Sequence, residues 1–269
     1  MIEQHAIKDE IILSIAAGKY HSKELLENPY QGDQVDITIF ISCYNEAGHI
    51  IKTIDEVSAA LKTVRMTFEI LIIDDASSDN SWPQLMAYTE SHPEENIIIK
   101  RNHKNKGLAQ NYLNSVYIGK GKYHRLVCGD NAEPQESLVK LFKEIGQADV
   151  IIPYYYRVID KGFGRMVISK TYTALINLIT GYRLHYYNGL QIHLRYNVMR
   201  WHSNTRGFGF QAETLTMILD KGFTYKEVPI LGMDKKGADS RALTFRNMLS
   251  VVHTLLEIFL RRMSNRLYR

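Results

Sequence analysis

Four short polar segments, each directly after an apolar run, carry residue types that suit a nucleotide. They are residues 42–46, 74–79, 102–107 and 129–133. An aromatic ring such as that of Tyr44 can stack on a base, and a carboxylate such as that of Asp75 can accept a hydrogen bond from a base N–H group. Asp130 can bind a divalent cation through hard oxygen ligands, and such a cation can bridge a diphosphate. The four segments therefore indicate a nucleotide site.

Two aspartates, Asp74 and Asp75, stand side by side at the end of the second apolar run. Just after them, Ser78 and Asp79 are good N-cap residues for the helix marked by Trp82, and we expect one of the two to cap it. Capping does not explain the aspartate pair, because crowded carboxylates at a buried strand end are unfavourable without a cation or hydrogen-bond donors. We therefore interpret Asp74 and Asp75 as ligand-binding residues.

The apolar runs alternate with helical patterns, which predicts the elements that position these segments. Strands are expected at residues 37–42, 68–73, 97–99, 125–128 and 150–152. After the first strand, one helix face recurs at spacings of four and three residues through Ile50, Ile54, Val57, Leu61 and Val64. Such alternation forms right-handed βαβ units, and ligands bind at the carboxyl ends of their strands. The sequence predicts an α/β fold with a Rossmann-like, mostly parallel sheet flanked by helices.

A succession of short motifs follows these elements along the chain. They are Tyr44-Asn45-Glu46, Asp74-Asp75-Ala76-Ser77-Ser78-Asp79, Asn105-Lys106-Gly107-Leu108-Ala109, Gly207-Phe208-Gly209-Phe210-Gln211-Ala212-Glu213, Lys221-Gly222-Phe223, Glu227-Val228-Pro229-Ile230 and Ser240-Arg241. Their order resembles the family 2 glycosyltransferases with the GT-A fold, closest in pattern to the dolichyl- or polyprenyl-phosphate sugar transferases. Each motif alone is weak, but their succession from about residue 35 to 243 is specific.

This resemblance implies an inverting transfer of a sugar from a nucleoside-diphosphate sugar. Asp130 would be the second acid of the family's metal-binding Asp-x-Asp motif, and therefore both a metal ligand and a catalytic residue. Glu213 would be the catalytic acidic residue near the acceptor. The nucleotide-binding candidates are Tyr44, Asn45, Glu46, Asp74, Asp75 and Lys106.

The sequence departs from the family pattern at the metal site. Cys128 stands where the first acid of Asp-x-Asp is expected, and Ala132 where related transferases often have a polar ligand. A cation held by Asp130 alone would take most of its shell from the diphosphate and water, which Mg²⁺ tolerates. Glu133 is a candidate substitute ligand. The resemblance implies Mg²⁺ or Mn²⁺, while Cys128 leaves the metal dependence open.

Glu213 has two functional interpretations that depend on the acceptor. A sugar hydroxyl needs a general base within hydrogen-bond reach, and Glu213 is the best candidate for that base. A lipid phosphate is already anionic, so Glu213 would instead position the acceptor or organise basic residues. The structural alternative is a surface glutamate in the first turn of an amphipathic helix.

Several basic residues are candidates to hold a phosphate of the donor or the acceptor. Lys235, Lys236 and Arg241 lie in a glycine-containing segment, and Arg241 is the one we favour. Arg157 and Arg165 are weaker candidates of the same kind. For any single lysine, a solvated surface position is about as good an interpretation.

The composition argues against several other classes of protein. Hydrophobic residues make up 45% of the chain and charged residues 23%, which is typical of globular domains, and a net charge of +4 without a basic stripe disfavours nucleic-acid binding. Cys43 and Cys128 lack the spacing of a zinc or redox site, and we expect two reduced structural cysteines. Charged residues near the N-terminus disfavour a signal peptide, and no apolar stretch reaches the roughly 20 residues of a membrane span.

The sequence predicts three parts. Residues 1–34 form an N-terminal helical extension, residues 35–243 the GT-A glycosyltransferase domain, and residues 244–269 a C-terminal amphipathic basic helix. This last helix suits an anionic membrane surface. It also suits packing on the core, with its arginines complementing the C-terminal helix dipole, and the sequence does not choose between the two.

The leading hypothesis is transfer of a sugar to a polyprenyl phosphate or a lipid-linked glycan by a cytoplasmic protein that is peripheral to the membrane. A soluble sugar or a protein glycan is the alternative acceptor. A sugar-nucleotide-binding scaffold without turnover is the alternative class, which Cys128 keeps open. A dehydrogenase is disfavoured because no G-x-G-x-x-G follows the first strand. A homo-oligomer is compatible with the sequence, and no nucleic-acid partner is expected.

Overall fold

The computed structural model describes residues 35–159, 163–203, 207, 209–233 and 245–267. Its strands are β1 (Val35–Cys43), β2 (Phe68–Asp74), β3 (Ile97–Arg101), β4 (Gly121–Cys128), β5 (Val150–Ile159), β6 (Ile192–Leu194) and β7 (Tyr225–Met233). Its helices are α1 (Ile50–Val64), α2 (Ser81–Ser91), α3 (Leu108–Ile118), α4 (Gln135–Phe142), α5 (Phe163–Thr180), α6 (Arg195–Arg200), α7 (Phe210–Asp220) and α8 (Phe245–Leu267). The predicted N-terminal extension lies outside the described residues.

The strands form one seven-stranded sheet in the order β3-β2-β1-β4-β6-β5-β7. β1 pairs in parallel with β2 and β4, β2 with β3, and β5 with β7. β6 is antiparallel to both of its neighbours, β4 and β5. The remaining strands therefore point the same way, and the predicted α/β fold with a mostly parallel sheet is confirmed.

Helices cover both faces of this sheet. Successive side chains of a strand point to opposite faces, so Ile39 and Ile41 of β1 pack on one side and Phe40 on the other. The face of Ile39 is covered by α1, α2 and α4, and the face of Phe40 by α3, α5, α6, α7 and α8. Because both faces are buried, the strands read as continuous apolar runs in the sequence.

The first helix shows how the sequence pattern becomes packing. Ile50, Ile54, Val57 and Leu61 of α1 are fully buried, as their spacing predicts. The helix ends at Arg65, which has a left-handed backbone with φ of 57° and donates its N–H to Lys62. This helix directly follows the first polar segment in the sequence, so its N-terminus lies beside that segment at the sheet edge.

The outer edge of β7 is closed by α4 rather than by another strand. Leu231 donates its N–H to Ser137 Oγ at 3.1 Å, and Ser137 Oγ donates to Leu231 O at 2.9 Å. Lys140 Nζ donates to the carbonyl of Pro229 at 2.6 Å, and proline has no N–H of its own to offer. The outward main-chain groups of Pro229 and Leu231 are therefore partnered by side chains of α4.

The C-terminal helix α8 packs closely on the loop that leads into α7. A Cβ added at Gly209 would lie 2.0 Å from Thr254 Oγ1, and one added at Gly207 would lie 1.6 Å from Ser250 Oγ. Thr254 and Ile258 are fully buried. Glycine is therefore required for the approach of α8 to this loop.

Two arginines of α8 are used in this packing. Arg262 Nη1 donates to Asp220 of α7, and its guanidinium lies 5.3 Å from the ring centroid of Tyr182. Arg261 Nη2 donates to Thr216 Oγ1 at 2.7 Å. These side chains bind the neighbouring helix, which is the packed role that one of the two sequence interpretations gave this element.

The opposite face of α8 is apolar and exposed, which agrees with the other interpretation. Its large side chains recur at helical spacing and are Leu249, Val252, Leu256, Phe259, Leu260, Met263 and Leu267. We call this set the α8 stripe. Among the described residues, no helix is both long enough and apolar enough to cross a bilayer.

Candidate functional site

The polar segments after β1 and β2 are bound to each other at the carboxyl edge of the sheet. Asn45 donates its N–H to Ser77 Oγ at 2.9 Å, and its Oδ1 accepts from Ser78 N at 2.8 Å. Glu46 donates its N–H to Ser81 Oγ at 2.8 Å. The two segments are therefore hydrogen-bonded to each other, and we call them together the floor of the site. Asn45 makes structural contacts in this floor in addition to its predicted contact with a nucleotide.

Asp79 belongs to the same floor. Its carboxylate accepts from Ala47 N at 3.0 Å and from Ser81 N at 2.9 Å. The N-cap position of α2 is Asn80, whose side chain makes no capping hydrogen bond. The N-cap thus lies one residue after the expected Ser78 or Asp79, but Asp79 still accepts from the first N–H of the helix, as capping predicts, and also bonds the segment after β1.

Asp74 is fully buried and has protein partners. Its Oδ1 accepts from Ser77 N at 3.3 Å, and its Oδ2 lies 3.1 Å from Arg101 Nε. Arg101 also donates to Ser77 O and lies 5.6 Å from the centroid of the Trp82 ring. The Arg101 guanidinium and the Ser77 N–H thus compensate the crowding of carboxylates that led us to expect a ligand at Asp74.

Asp75 organises the segment after β3. Its Oδ1 accepts from Asn102 Nδ2 and Lys106 N, both at 2.8 Å, and its Oδ2 accepts from Gly107 N at 2.9 Å. Burial alone would raise the pKa of Asp75, but the hydrogen bonds from Lys106, Asn111, Asn102 and Gly107 together hold that pKa below its ordinary value. Lys106 takes part through its backbone, while its side chain is exposed.

Asp130 lies in a turn between β4 and α4 that is held at several points. Gly129 donates its N–H to Ser42 O at 2.9 Å and accepts from Thr53 Oγ1 at 3.0 Å. A Cβ at Gly129 would lie 2.5 Å from Ser42 O and 3.6 Å from Glu46 Cγ, so the turn lies against the segment after β1. The half-exposed Asp130 accepts from Ala132 N at 3.3 Å through Oδ1.

The residues beside Asp130 add no second metal ligand. Burial raises the pKa of the Cys128 thiol, and the nearby Asp130 and Glu133 carboxylates raise it further, so this sulfur is protonated when no cation is bound. Sulfur is also a softer ligand than Mg²⁺ or Mn²⁺ favours. Glu133 is buried and accepts two hydrogen bonds from Arg125 at 2.8 Å, so its proposal as a substitute ligand is wrong. In the described part of the chain, no group of three His, Cys, Asp or Glu residues could hold a metal ion.

Among the described residues, Asp130 is the one candidate protein ligand for a divalent cation at this site. The rest of its shell would come from a diphosphate and water, an arrangement that suits Mg²⁺ because it retains several waters. Gly129, the residue before Asp130, lies against the segment that holds Glu46. Tyr44 lies on the same edge with 41% of its surface exposed. Asp75 donates its N–H at 2.8 Å to the carbonyl of Cys43, the residue before Tyr44.

Glu213 lies apart from this cluster, in the first turn of α7. It is only 5% exposed, and its Oε2 accepts from Ser203 Oγ at 2.5 Å. Its charge acts on Tyr172 of α5 and on Arg261 of α8. The alternative of a surface glutamate is therefore wrong, and Glu213 belongs to the junction of three helices.

The basic candidates are placed only in part. Arg165 lies in α5, although its side chain is outside the description, and Arg157 is exposed on β5. Lys235 and Arg241 lie outside the described residues. Met233, the last residue of β7, donates its N–H to Ala132 O at 2.8 Å, so the end of β7 lies beside the Asp130 turn.

Some residues that shape the site escaped the sequence analysis. Asn111 supports Asp75 together with Asn102 of the predicted segment, and a signal existed for Asn111, a polar residue on the buried face of α3. Arg125, a charged residue inside an apolar strand, was a signal for an internal ion pair. Its partner could not be deduced, because the pairing depends on how the turn after β4 folds back.

The family model for glycosyl transferase family 2 matches residues 38–219, well over half of the chain. The chain belongs to this family. Its curated relatives include transferases that are named for polyprenyl phosphates. The resemblance found in the sequence is thereby confirmed.

The curated relatives match at low identity. The dolichyl-phosphate beta-glucosyltransferase of Dictyostelium discoideum is 26% identical over 131 residues, 46% of this chain and 40% of that protein. The dolichol-phosphate mannosyltransferase of Pyrococcus furiosus is 24% identical over 151 residues, 50% of this chain and 42% of that protein. An undecaprenyl-phosphate 4-deoxy-4-formamido-L-arabinose transferase of Yersinia enterocolitica is 28% identical over 153 residues, 53% and 42% respectively. The chain thus spans about two-fifths of the length of these relatives.

Solved structures of other transferases share the fold of this family 2 member. Glucosyl-3-phosphoglycerate synthase of Mycobacterium tuberculosis with uridine diphosphate superposes with a TM-score of 0.64 at 15% identity, over 84% of this chain and 80% of that one. Mannosyltransferase PcManGT of Pyrobaculum calidifontis, in complex with GDP-Man and Mn²⁺, gives 0.60 at 15% identity, over 96% and 76%. At this identity the likeness establishes the fold, which is GT-A.

Proposed function

We propose that this glycosyltransferase moves a sugar, with inversion, from a nucleoside-diphosphate sugar to a polyprenyl phosphate or a lipid-linked glycan. The observation that carries the proposal is the position of Asp130. Its turn lies between the segment that holds Glu46 and the end of β7, where the basic segment with Lys235 and Arg241 begins. Relatives named for dolichyl and undecaprenyl phosphates support the choice of acceptor.

The donor would lie along the carboxyl edge of β1, β2 and β4. Tyr44 offers an exposed ring for stacking on the base, and Asp75 offers a carboxylate whose orientation is already fixed by Lys106 and Gly107. A preorganised acceptor loses little entropy when it binds a base N–H. Asn45, Glu46 and Asp74 lie on the same edge, and we propose that they contact the nucleotide in addition to holding the two segments of the floor together.

The reaction is a displacement at the anomeric carbon. An oxygen of the acceptor attacks this carbon from the face opposite the diphosphate, and the bond between carbon and diphosphate oxygen breaks. The electron pair leaves with the nucleoside diphosphate, so the configuration inverts. A divalent cation between Asp130 and the diphosphate would supply charge stabilisation to this leaving group.

The acceptor determines what Glu213 does. A polyprenyl phosphate arrives as an anion and needs no base, which suits a buried Glu213 that is bound to Ser203 and organises the junction of helices. Arg165 and Arg241 are proposed to hold its phosphate. If a sugar hydroxyl is the acceptor, Glu213 is proposed as the general base that removes its proton.

The α8 stripe supports a peripheral position on a membrane, which we propose to be its cytoplasmic face. A long row of exposed apolar side chains is unfavourable in water and favourable at the boundary between headgroups and acyl chains. We retain the division into residues 1–34, 35–243 and 244–269 as a proposal, with the last part as the element that contacts lipid.

Two alternatives differ from this proposal in what they transfer. A soluble sugar or a protein glycan would replace the lipid acceptor. A scaffold that binds a sugar nucleotide without turnover is favoured by one observation, the protonated thiol of Cys128 in place of an acid. The retained Asp130 argues for turnover.

The test is an assay of the purified chain with a panel of sugar nucleotides, with Mg²⁺, Mn²⁺ or chelator. Released nucleoside diphosphate is measured with undecaprenyl phosphate in detergent, with dolichyl phosphate, and with soluble sugars. Transfer to a polyprenyl phosphate supports the proposal, and anomeric NMR of the product decides inversion. Transfer only to soluble sugars supports the first alternative. Binding of a donor without transfer or hydrolysis under any condition supports the scaffold.

A further inference from the structure

An ion pair brackets the Asp130 turn, and the proposed reaction does not use it. Arg125 lies three residues before Cys128 and Glu133 three residues after Asp130. Arg125 Nη2 lies 2.8 Å from both carboxylate oxygens of Glu133, and both side chains are buried. A buried ion pair often adds no net stability over apolar side chains of similar volume, so its presence here calls for another explanation.

The surroundings of the pair hold it in one position. Arg125 Nε donates to Leu190 O at 3.1 Å, and its guanidinium lies 5.8 Å from the ring centroid of Phe142. Tyr155 of β5 donates its hydroxyl to Glu133 Oε1 at 3.4 Å. Three further parts of the fold thus fix the two side chains that join the ends of the turn.

The turn itself is sharp and bonded at both ends. Asn131 has a φ of 55°, a left-handed conformation that asparagine adopts more readily than most residues with a side chain. On one side, Gly129 is bonded to Ser42 O, and on the other, Ala132 O accepts from Met233 N. Between these anchors, the carboxylate of Asp130 extends from a backbone that is restrained at each end.

We propose that Arg125 and Glu133 are positioning residues, whose ion pair closes the turn and sets the carboxylate of Asp130 toward the donor diphosphate. The inference rests on the proposed function, since the diphosphate is part of it. Neither side chain touches the substrate. Arg125 also withdraws Glu133 from the cation, so that Asp130 is the one acid of this turn that reaches the ligand.

The variant that tests the pair is Arg125→Met with Glu133→Met. Changing both residues avoids the uncompensated buried charge that either single change would leave, and methionine roughly keeps the volume of both side chains. The matched control is Lys226→Met with Glu144→Met, which removes an ion pair of 2.5 Å far along the sheet from the turn. If the test variant fails to fold, Arg125→Lys replaces it, because lysine keeps the charge but lacks the guanidinium that bonds Leu190 O through Nε and both Glu133 oxygens through Nη2.

The first measurement is hydrogen exchange, which requires no turnover. The N–H groups of Gly129 and Met233 are bonded across the turn, and that of Asp75 is bonded to Cys43 O outside it. In the test variant we expect exchange at Gly129 and Met233 to become roughly tenfold faster, while exchange at Asp75 stays the same. Unchanged exchange at Gly129 and Met233 would overturn the proposal.

The second measurement is the kinetics of sugar transfer. A carboxylate displaced by about 1 Å lowers kcat roughly 100-fold, and we expect KM for the donor to change less than about threefold, since Tyr44 and Asp75 are untouched. Faster exchange at the turn with an unaltered kcat would overturn the positioning role. If the wild-type protein transfers no sugar, the proposed function fails, and the exchange experiment still decides whether the pair holds the turn.

Discussion

The carboxylates near this sheet edge differ in how many hydrogen bonds and ion pairs they make with other residues of the protein. Asp74 is paired with Arg101, Asp75 accepts hydrogen bonds on both oxygens, and Glu133 is held by Arg125. Asp130 is half-exposed and accepts one long hydrogen bond from Ala132. Asp74, Asp75 and Glu133 therefore shape the site, while the carboxylate of Asp130 is the best placed of these four to bind a ligand.

The first prediction concerns Asp130→Asn. The amide keeps the shape of the side chain and loses its charge, so we expect transfer to slow roughly 100-fold or more, as for other groups that stabilise developing charge. The rate of nucleoside diphosphate release measures it. Glu136→Gln, which removes an exposed carboxylate from the adjacent helix α4, is the control and is expected to be neutral. A near-normal rate in Asp130→Asn would remove this residue from the mechanism.

The second prediction concerns Asp75→Asn. An amide cannot accept from Lys106 and Gly107 on both of its heavy atoms, so the segment after β3 loosens. We expect affinity for nucleoside diphosphates to fall by about 1–3 kcal/mol, together with a loss of stability of similar size. Calorimetric binding and urea unfolding measure the two effects. Asn105→Ala, which removes one 3.4 Å hydrogen bond to Asp75 O, is the milder control.

Among the elements, β6 has the largest effect on the interior for its size. This three-residue strand pairs antiparallel with β4 and sets His193 directly opposite His124. His124 Nε2 lies 2.9 Å from Ser115 Oγ. Burial lowers the pKa of His124 well below its ordinary value, helped by Arg195 and His193, and burial lowers the pKa of His193 to about 3.

The third prediction follows from these two histidines. The unfolded chain binds protons at both below about pH 6.5 while the folded protein does not, so folding stability is complete above this pH and falls as the pH drops toward 3. Each histidine is expected to contribute about 1 kcal/mol of lost stability per pH unit. Urea unfolding at pH 7, 6 and 5 measures the slope. A shallower slope in His193→Gln is expected, and an identical slope would contradict the assignment.

The sequence predicted the elements with a clear period and missed the others. α1 was readable because its buried residues recur every three or four positions, and β1 because it is apolar on both faces. β6 has three residues and presents no period, so its antiparallel direction could not be foreseen. The same limit applies to the site, where Asp75 and Asp130 follow strands in the sequence but the Arg125–Glu133 pair exists only once the turn is folded.

At the scale of the whole molecule, one face of α8 packs against the rest of the protein and the opposite face is exposed. The inner face is fixed by Thr254, Ile258 and two arginines, so this helix is part of the folded unit. The α8 stripe lies on the other side, and α5, which packs against α8, adds the exposed Leu175 and Leu178. Composition could not separate these faces, since leucine occurs on both, as Leu255 on the inner face and Leu256 on the outer one show.

The fourth prediction tests the α8 stripe. Leu256→Glu places a charge at the centre of the exposed apolar row, and we expect binding to vesicles with anionic lipids to weaken at least roughly tenfold, since apolar contact and attraction both decrease. Co-sedimentation with vesicles measures it. Asn265→Glu adds the same charge at an exposed position on another side of α8 and serves as the control. Equal binding by both variants and the wild type would assign membrane contact to another surface.

The side-chain cover on β7 has a consequence for how this protein behaves when crowded. Open strand edges recruit further strands, which is the usual route to sheet-driven aggregation. Here Ser137 occupies the main chain of Leu231, Lys140 caps the carbonyl of Pro229, and that proline has no hydrogen to donate. A foreign strand arriving at this edge would find the hydrogen-bonding positions of Pro229 and Leu231 taken. These three side-chain contacts thereby oppose polymerisation through this part of β7.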